Sequence, residues 1–75
     1  MKYLIYDRFE DNIRAEECSQ TDIIKEAQLY FEEHFLDEYP EEATPKTWEE
    51  ALEFWDTNEF DVIAYEGDSG WKFMN

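Results

Sequence analysis

The sequence predicts a small α+β domain in which one face of a sheet is covered by two helices. Apolar segments near the start and the end of the chain have the composition and length of strands. The two segments between them repeat apolar residues at helical spacing. Because the order is β(β)ααββ, with strands and helices grouped, we expect an antiparallel or mixed sheet with both helices on one face. Residues 1–75 are expected to form this single domain.

The first two predicted elements are strands. The segment KYLIY, residues 2–6, is apolar on both faces and rich in Tyr and Ile, which indicates a strand near the middle of the sheet. The segment NIRAEEC, residues 12–18, alternates more weakly, with Ile13 and Ala15 between polar neighbours. We expect it to be a second strand, joined to the first as a hairpin through RFEDN.

The first predicted helix begins at SQTD. Ser19 or Thr21 can cap the free N–H groups, and Asp22 suits the positive end of the helix dipole. Pro40 ensures that the helix has ended. The residues that share its apolar face are Ile23, Ile24, Ala27, Tyr30, Phe31, His34 and Phe35.

The second predicted helix begins at TWEE, which is a capping box. The Thr47 hydroxyl can accept from the N–H of Glu50, while the Glu50 side chain reaches back to the cap. Asn58 is expected to be a left-handed residue after the helix. The apolar face of this helix consists of Trp48, Ala51, Leu52 and Trp55, with Glu49, Glu50, Glu53 and Asp56 on the opposite face.

The remaining segments predict a hairpin. FDVIAYE, residues 60–66, reads as a strand, and WKFM, residues 71–74, as its partner. The GDSG sequence between them is a turn in which Gly67 and Gly70 can supply positive φ.

The net charge of −15 is the extreme feature of the composition. There are 21 acidic residues against six basic ones, and residues 26–68 contain fifteen acids and one base, Lys46. Such a chain repels nucleic acid and anionic membranes and attracts basic surfaces. The aromatic content of 19% opposes the disorder that this charge would favour. The sequence has no apolar run of the roughly 18–20 residues that a membrane span needs and no signal-peptide pattern.

Neither catalysis nor metal binding is indicated. Cys18 is a lone cysteine, which we interpret as a free thiol in a reducing cytoplasm. His34 lies at the edge of an apolar helix face, where a partly buried packing role is expected, and a pair of Cys18 with His34 has no motif around it. DTNEFD, residues 56–61, spaces oxygen ligands as a calcium loop does but lacks the turn glycine and the final glutamate. We therefore expect no enzyme activity, no catalytic residue, no metal and no cofactor.

The acidic residues of the helices and their connection are the candidate partner-binding surface. The size of the charge supports this hypothesis: a compact chain of this length has a diameter of roughly 30 Å, over which duplex DNA carries about 17 charges. The residues that would stand in for phosphates are Glu32, Glu33, Asp37, Glu38, Glu41, Glu42, Glu49, Glu50, Glu53 and Asp56. The alternative is a solvated surface that aids solubility.

Two leucines are further candidates for a protein contact. Leu29 and Leu36 fall on the polar side of the first helix, with Lys25 and Glu32. Exposed leucines flanked by acids can anchor a partner. Alternatively, the loop after Leu36, which contains Pro40, folds back over both of them.

In composition the chain resembles the small acidic proteins encoded by phages and mobile elements. The similarity consists of short length, a net charge of −15, abundant aromatic residues, one cysteine and the absence of a catalytic motif. Several such proteins are DNA mimics of the anti-restriction or anti-CRISPR type, which occupy the nucleic-acid groove of a host enzyme. The resemblance implies a cytoplasmic competitive inhibitor that binds a basic, nucleic-acid-binding protein, without direct contact to nucleic acid or membrane.

The alternative function is a structural or interaction domain whose charge is incidental. Its partner would meet an apolar surface, either the two exposed leucines or the sheet face that the helices leave uncovered. One form is a homodimer through Tyr3, Ile5 and neighbouring strand residues. The sequence leaves the choice between a monomer and a weak homodimer open.

Overall fold

The computed structural model describes residues 2–65 and 70–75, which form one four-stranded sheet with two helices. The strand order is β2-β1-β3-β4, and every neighbouring pair is antiparallel. This arrangement confirms the α+β prediction. The elements are β1 (Lys2–Asp7), β2 (Asn12–Cys18), α1 (Gln20–His34), a 3₁₀ turn (Glu41–Ala43), α2 (Trp48–Thr57), β3 (Phe60–Tyr65) and β4 (Trp71–Phe73).

Strand β1 lies at the centre of the sheet, as its apolar sequence predicts. It pairs with β3 in continuous register, Ile5 opposite Val62 and Leu4 opposite Ile63. Because side chains alternate along a strand, Ile5 and Val62 point to the helices, while Leu4 and Ile63 point to the opposite face. Tyr3 and Ile5 are 5% and 0% exposed and belong to the helix-side core. The expectation of a homodimer through Tyr3 and Ile5 is therefore wrong, because the helices cover both side chains.

Strand β2 pairs with β1 irregularly, with two register shifts. One shift lies between the pairs Ile5–Ala15 and Tyr6–Ile13, so that Arg14 is the extra residue on β2. The guanidinium of Arg14 lies over the rings of Tyr30, Trp55 and Phe60, and it therefore extends the core with a charged group that keeps contact with solvent.

Both helices begin with a capping box, which the sequence predicts for α2, whereas for α1 it predicts only a cap at Ser19 or Thr21. Ser19 caps α1 and forms a capping box with Asp22, and Thr47 caps α2 and forms one with Glu50. Between the helices, the fully buried Trp55 donates its indole N–H to the carbonyl of Ile23 at 3.2 Å. This hydrogen bond satisfies the one polar atom of the largest core side chain. The other apolar positions predicted for the two helix faces that are buried are Ile23, Ala27, Phe31 and Ala51.

The exit of α2 differs from the prediction. Asn58 has a φ of −97°, and its side chain donates to the carbonyl of Phe54 at 2.8 Å. The left-handed residue is the next one, Glu59, with a φ of 68°. The prediction placed the turn one residue early because Asn tolerates positive φ better than Glu does. At the second hairpin Gly70 has the predicted positive φ, 106°, whereas Gly67 lies outside the described residues.

The molecule is longer than a compact sphere. Its principal extents are 42, 24 and 16 Å, and its radius of gyration is 12.3 Å. The expectation of a globule about 30 Å across is therefore wrong. Within residues 2–65 and 70–75, no helix has the length and apolar character needed to cross a membrane.

Candidate functional site

The ten predicted carboxylates are all exposed, and they lie on the two helices and the connection between them. We call these ten residues the acidic surface. Four lie at the end of α1 and in the turn after it, two in the 3₁₀ turn, and four on α2. They are, in that order, Glu32, Glu33, Asp37 and Glu38; Glu41 and Glu42; and Glu49, Glu50, Glu53 and Asp56.

Little positive charge compensates the acidic surface. Lys46 is the one base in this region, and its ammonium donates to the backbone carbonyl of Glu42 at 3.4 Å. His34 lies 3.8 Å from Glu33. In the part of the chain that the structure describes, the ion pairs within 4.0 Å involve only two of the ten acids, Glu33 and Asp56. The negative charge of the acidic surface is therefore largely uncompensated.

Arg8 has a structural role. Arg8 lies in the turn between β1 and β2, and its guanidinium contacts the carboxylates of Asp56, Glu59 and Asp61 at 3.1, 3.9 and 3.4 Å. It also donates to the carbonyl of Asp56 at 2.8 Å, at the negative end of α2. The three carboxylates of the segment DTNEFD, residues 56–61, are thus paired with a guanidinium of the same chain. Asp56 is consequently the least available member of the predicted surface.

Glu50 also has an internal role. Its Oε1 atom accepts from the backbone N–H groups of Lys46 and Thr47 at 2.9 and 3.1 Å. These hydrogen bonds lower the pKa of the Glu50 carboxyl below its usual value. The same arrangement at the start of α1 lowers the pKa of Asp22 through hydrogen bonds from Ser19.

A polar groove lies between α1 and the loop that follows it. The side chain of Gln28 donates to the carbonyl of Pro45 at 3.0 Å, so the loop returns along α1. Leu36 lines this groove yet remains 44% exposed, and Leu29, outside the lining, is 50% exposed. The loop thus lies beside Leu36 without covering either leucine. The carboxylates that line the groove are Glu32, Glu41 and Glu42, opposite Lys46.

A second groove, of about 500 Å³, has an aromatic floor and an acidic rim. We call it the aromatic groove. The ring of Phe35 lies 5.9 Å from each of the rings of Phe31, Tyr39 and Phe54. The sequence predicts Phe31 and Phe35 on the apolar face of α1, but it did not predict the contributions of Phe54 and Tyr39. The rim of the aromatic groove includes Glu50 and Glu53.

The cysteine and the histidine are too far apart to act together. Cys18 ends β2 just before α1, whereas His34 is the last residue of that 15-residue helix, roughly 20 Å away at about 1.5 Å per residue. Burial raises the pKa of the Cys18 thiol, and the carboxylates of Asp22 and Glu26 raise it further. His34 is half exposed and stacks on Tyr30 at 4.3 Å, so the expected packing role holds with more exposure than predicted.

Outside the acidic surface, the sheet face that points away from the helices is apolar. Leu4 and Ile63 at its centre are 4% and 5% exposed, although neither belongs to the helix-side core. The sequence signal for this face is the alternation of side chains along β1, β3 and β4. Its residues can be assigned once the strand register is known. By that register the open face also contains Tyr6, Ile13, Tyr65, Trp71 and Phe73.

Comparisons of the chain with protein-family models, with curated proteins and with solved structures found no match.

Proposed function

We propose that the protein is a cytoplasmic binding module that uses the acidic surface to bind a basic, nucleic-acid-binding protein, and that it competes there with nucleic acid without catalysing a reaction. The observation that carries this proposal is the unequal use of charge. The cations Arg8 and Arg14 are held in structural contacts, of which only the pair of Arg8 with Asp56 involves the acidic surface, while eight of the ten acids have no ion pair within the described residues. The surface is therefore free to pair with cations of another molecule.

The acids at the end of α1 lower the stability of the fold, and their presence despite this cost supports a functional role for them. The last turn of α1 contains His34 and no Lys or Arg, and Glu32 and Glu33 lie beside it. Acids at the C-terminal end of a helix are repelled by its dipole, each typically by 0.3–1 kcal/mol at exposed positions. A basic partner would relieve this repulsion on binding.

The protein carries less negative charge per unit length than duplex DNA does. Duplex DNA carries one charge per about 1.7 Å, or roughly 25 charges over the 42 Å long axis of the protein, whose net charge is −15. Electrostatic steering then makes association fast and steeply dependent on salt.

The test compares charge reversal inside and outside the acidic surface. The variant Glu41→Lys/Glu42→Lys changes the polar groove, and Glu10→Lys/Glu16→Lys changes net charge equally on the β1–β2 hairpin. Tagged proteins would be used to retain partners from a bacterial lysate at low and high salt and with added duplex DNA. We expect the wild type and the hairpin variant to retain a nucleic-acid-binding protein that salt or DNA releases, and the groove variant to lose it. Equal retention by all three proteins would refute the proposal.

The open sheet face supports a second candidate, a homodimer. Trp71, Phe73 and Ile13 are 67%, 63% and 47% exposed. With the tyrosines, they present roughly 400 Å² of apolar surface. An interface that is about 57% apolar would then bury roughly 700 Å² per partner, close to the standard size.

Charge also permits this dimer. The ammonium of Lys2 on this face pairs with Glu17 at 3.3 Å, and Asp61 pairs with Arg8 at 3.4 Å. The acidic surfaces of two copies would lie on the outer sides. Sedimentation should then show a dimer that persists in high salt and is lost in Trp71→Ser/Phe73→Ser but retained in Phe9→Ser, whose ring is 87% exposed in the turn between β1 and β2. A monomer at all accessible concentrations would exclude this candidate.

A further inference from the structure

One aromatic cluster runs through the helical layer, and one end of it already binds a guanidinium. The Cζ atom of Arg14 lies 5.1 Å from the ring centroid of Tyr30, 5.9 Å from that of Trp55 and 5.7 Å from that of Phe60. These distances are within the range of cation–π attraction. The cluster continues from Trp55 to Phe54, whose rings are 5.5 Å apart.

The other end of the cluster opens into the aromatic groove. Phe35 and Phe54 meet there edge to face, with centroids 5.9 Å apart and an interplanar angle of 85°. Tyr39 packs on Phe35 at 5.9 Å and is 52% exposed, which is unusual for a ring so close to a core. The backbone N–H of Tyr39 donates to the carbonyl of Phe35 at 2.9 Å, which fixes the main chain at this position.

The rim of this groove supplies negative charge. Both backbone hydrogen bonds to Glu50 end on Oε1, which keeps the carboxylate ionised and leaves Oε2 without a described partner. Glu53 lies one turn later on α2 and is exposed. An aromatic floor with two carboxylates on its rim matches a cation that is planar, weakly hydrated and a donor of several hydrogen bonds.

We propose that the aromatic groove binds an arginine side chain of the basic partner, with the guanidinium over Phe35 and Tyr39 and its N–H groups on Glu50 and Glu53. This inference rests on the proposed function and specifies the anchor within it. Lysine fits less well, because its ammonium is a compact, strongly hydrated charge that neither stacks nor forms paired hydrogen bonds.

The test uses hexa-arginine and hexa-lysine peptides, which carry equal charge. Titration calorimetry with the wild-type protein should show tighter binding of hexa-arginine, by about threefold to fivefold, the size expected of an exposed cation–π contact. Tyr39→Ala should remove this preference and Tyr39→Phe should retain it. Phe9→Ala is the matched control, since it deletes another exposed ring and should change neither affinity.

An NMR titration of the unmodified protein keeps the test independent of variant folding. Hexa-arginine should shift the ring resonances of Phe35 and Tyr39 at concentrations where hexa-lysine does not. Equal affinity for both peptides, with no ring shifts, would overturn the arginine anchor while leaving general binding to basic surfaces intact. If neither peptide bound in a salt-dependent manner, both the anchor and the proposed function would be refuted.

Discussion

Removing the guanidinium of Arg8 should destabilise the fold more than any other loss of surface charge. Arg8 is the cation that holds the β1–β2 turn against the exit of α2, and its side chain is 35% exposed. The variant Arg8→Met keeps much of the apolar stem and deletes the charge. Asp56, Glu59 and Asp61 then face one another without a cation.

The magnitude follows from the distances. Charge pairs at 3.1, 3.4 and 3.9 Å are each worth roughly 1 kcal/mol in a fully solvated environment. Three such pairs give about 3–4 kcal/mol, and ordering the arginine side chain costs up to about 2 kcal/mol. The net loss is therefore about 2 kcal/mol, which lowers Tm by roughly 8–16 °C in a domain of this size.

Thermal unfolding followed by circular dichroism tests this estimate, with Lys25→Met as the control that changes net charge equally on the exposed side of α1. The difference between the two variants should decrease in about 1 M NaCl, where the Debye length is roughly 3 Å. Equal Tm values for Arg8→Met and Lys25→Met at low salt would show that the cluster of Arg8 with three carboxylates contributes nothing to stability.

Three further predictions concern the caps, the pH dependence and the thiol. Thr47→Ala and Ser19→Ala should each reduce the free energy of unfolding by about 1 kcal/mol in urea titrations, because each removes a side-chain acceptor at a helix start; an unchanged midpoint would contradict the capping role. Glu50 has a folded pKa below its ordinary value of 4.5, so its contribution is fully present above that pH and is lost as the pH falls through the folded pKa. Glu50→Gln should therefore be less stable than the wild type near neutral pH, this difference should decrease as the pH falls below 4.5, and a constant difference would refute this linkage. Cys18 is 8% exposed with a raised pKa, so a thiol reagent should modify it slowly in the folded protein and rapidly in denaturant; rapid native labelling would show that the end of β2 opens.

Local chemistry predicted most of the fold. The capping box at Thr47, the cap at Ser19 and the apolar run of β1 each specify structure within a few residues, and the corresponding elements are present. The exit of α2 was predicted one residue early, because Asn tolerates positive φ better than Glu does, although Glu59 takes the left-handed conformation. The contact of Arg8 with Asp56, 48 residues away, was not predicted. A contact of that sequence separation leaves no local signature.

The candidate site was likewise predicted only in part from the sequence. Exposure of the six acids on α1 and α2 follows from helical periodicity, and these six and the four in the connection are all exposed. The aromatic groove required Tyr39 from the loop and Phe54 from α2 to meet at Phe35, and only the tertiary packing brings these rings together. For the same reason the open sheet face was recognisable as a surface but not as a set of residues, since the two shifts in β2 determine which of its side chains face outward.

The separation of charge from the core explains why so acidic a chain can fold and why its surface can be tested by mutation. Among the described residues, every buried side chain is apolar or, like Trp55, has its polar atom in a hydrogen bond, and no carboxylate or ammonium is buried. Repulsion among the acids therefore acts across water, where it is weak at each pair and is screened by salt. Replacing Glu41 and Glu42 by lysine leaves the packing around Trp55 untouched. A loss of binding in that variant can accordingly be attributed to the field of the acidic surface, because the fold does not depend on those two charges.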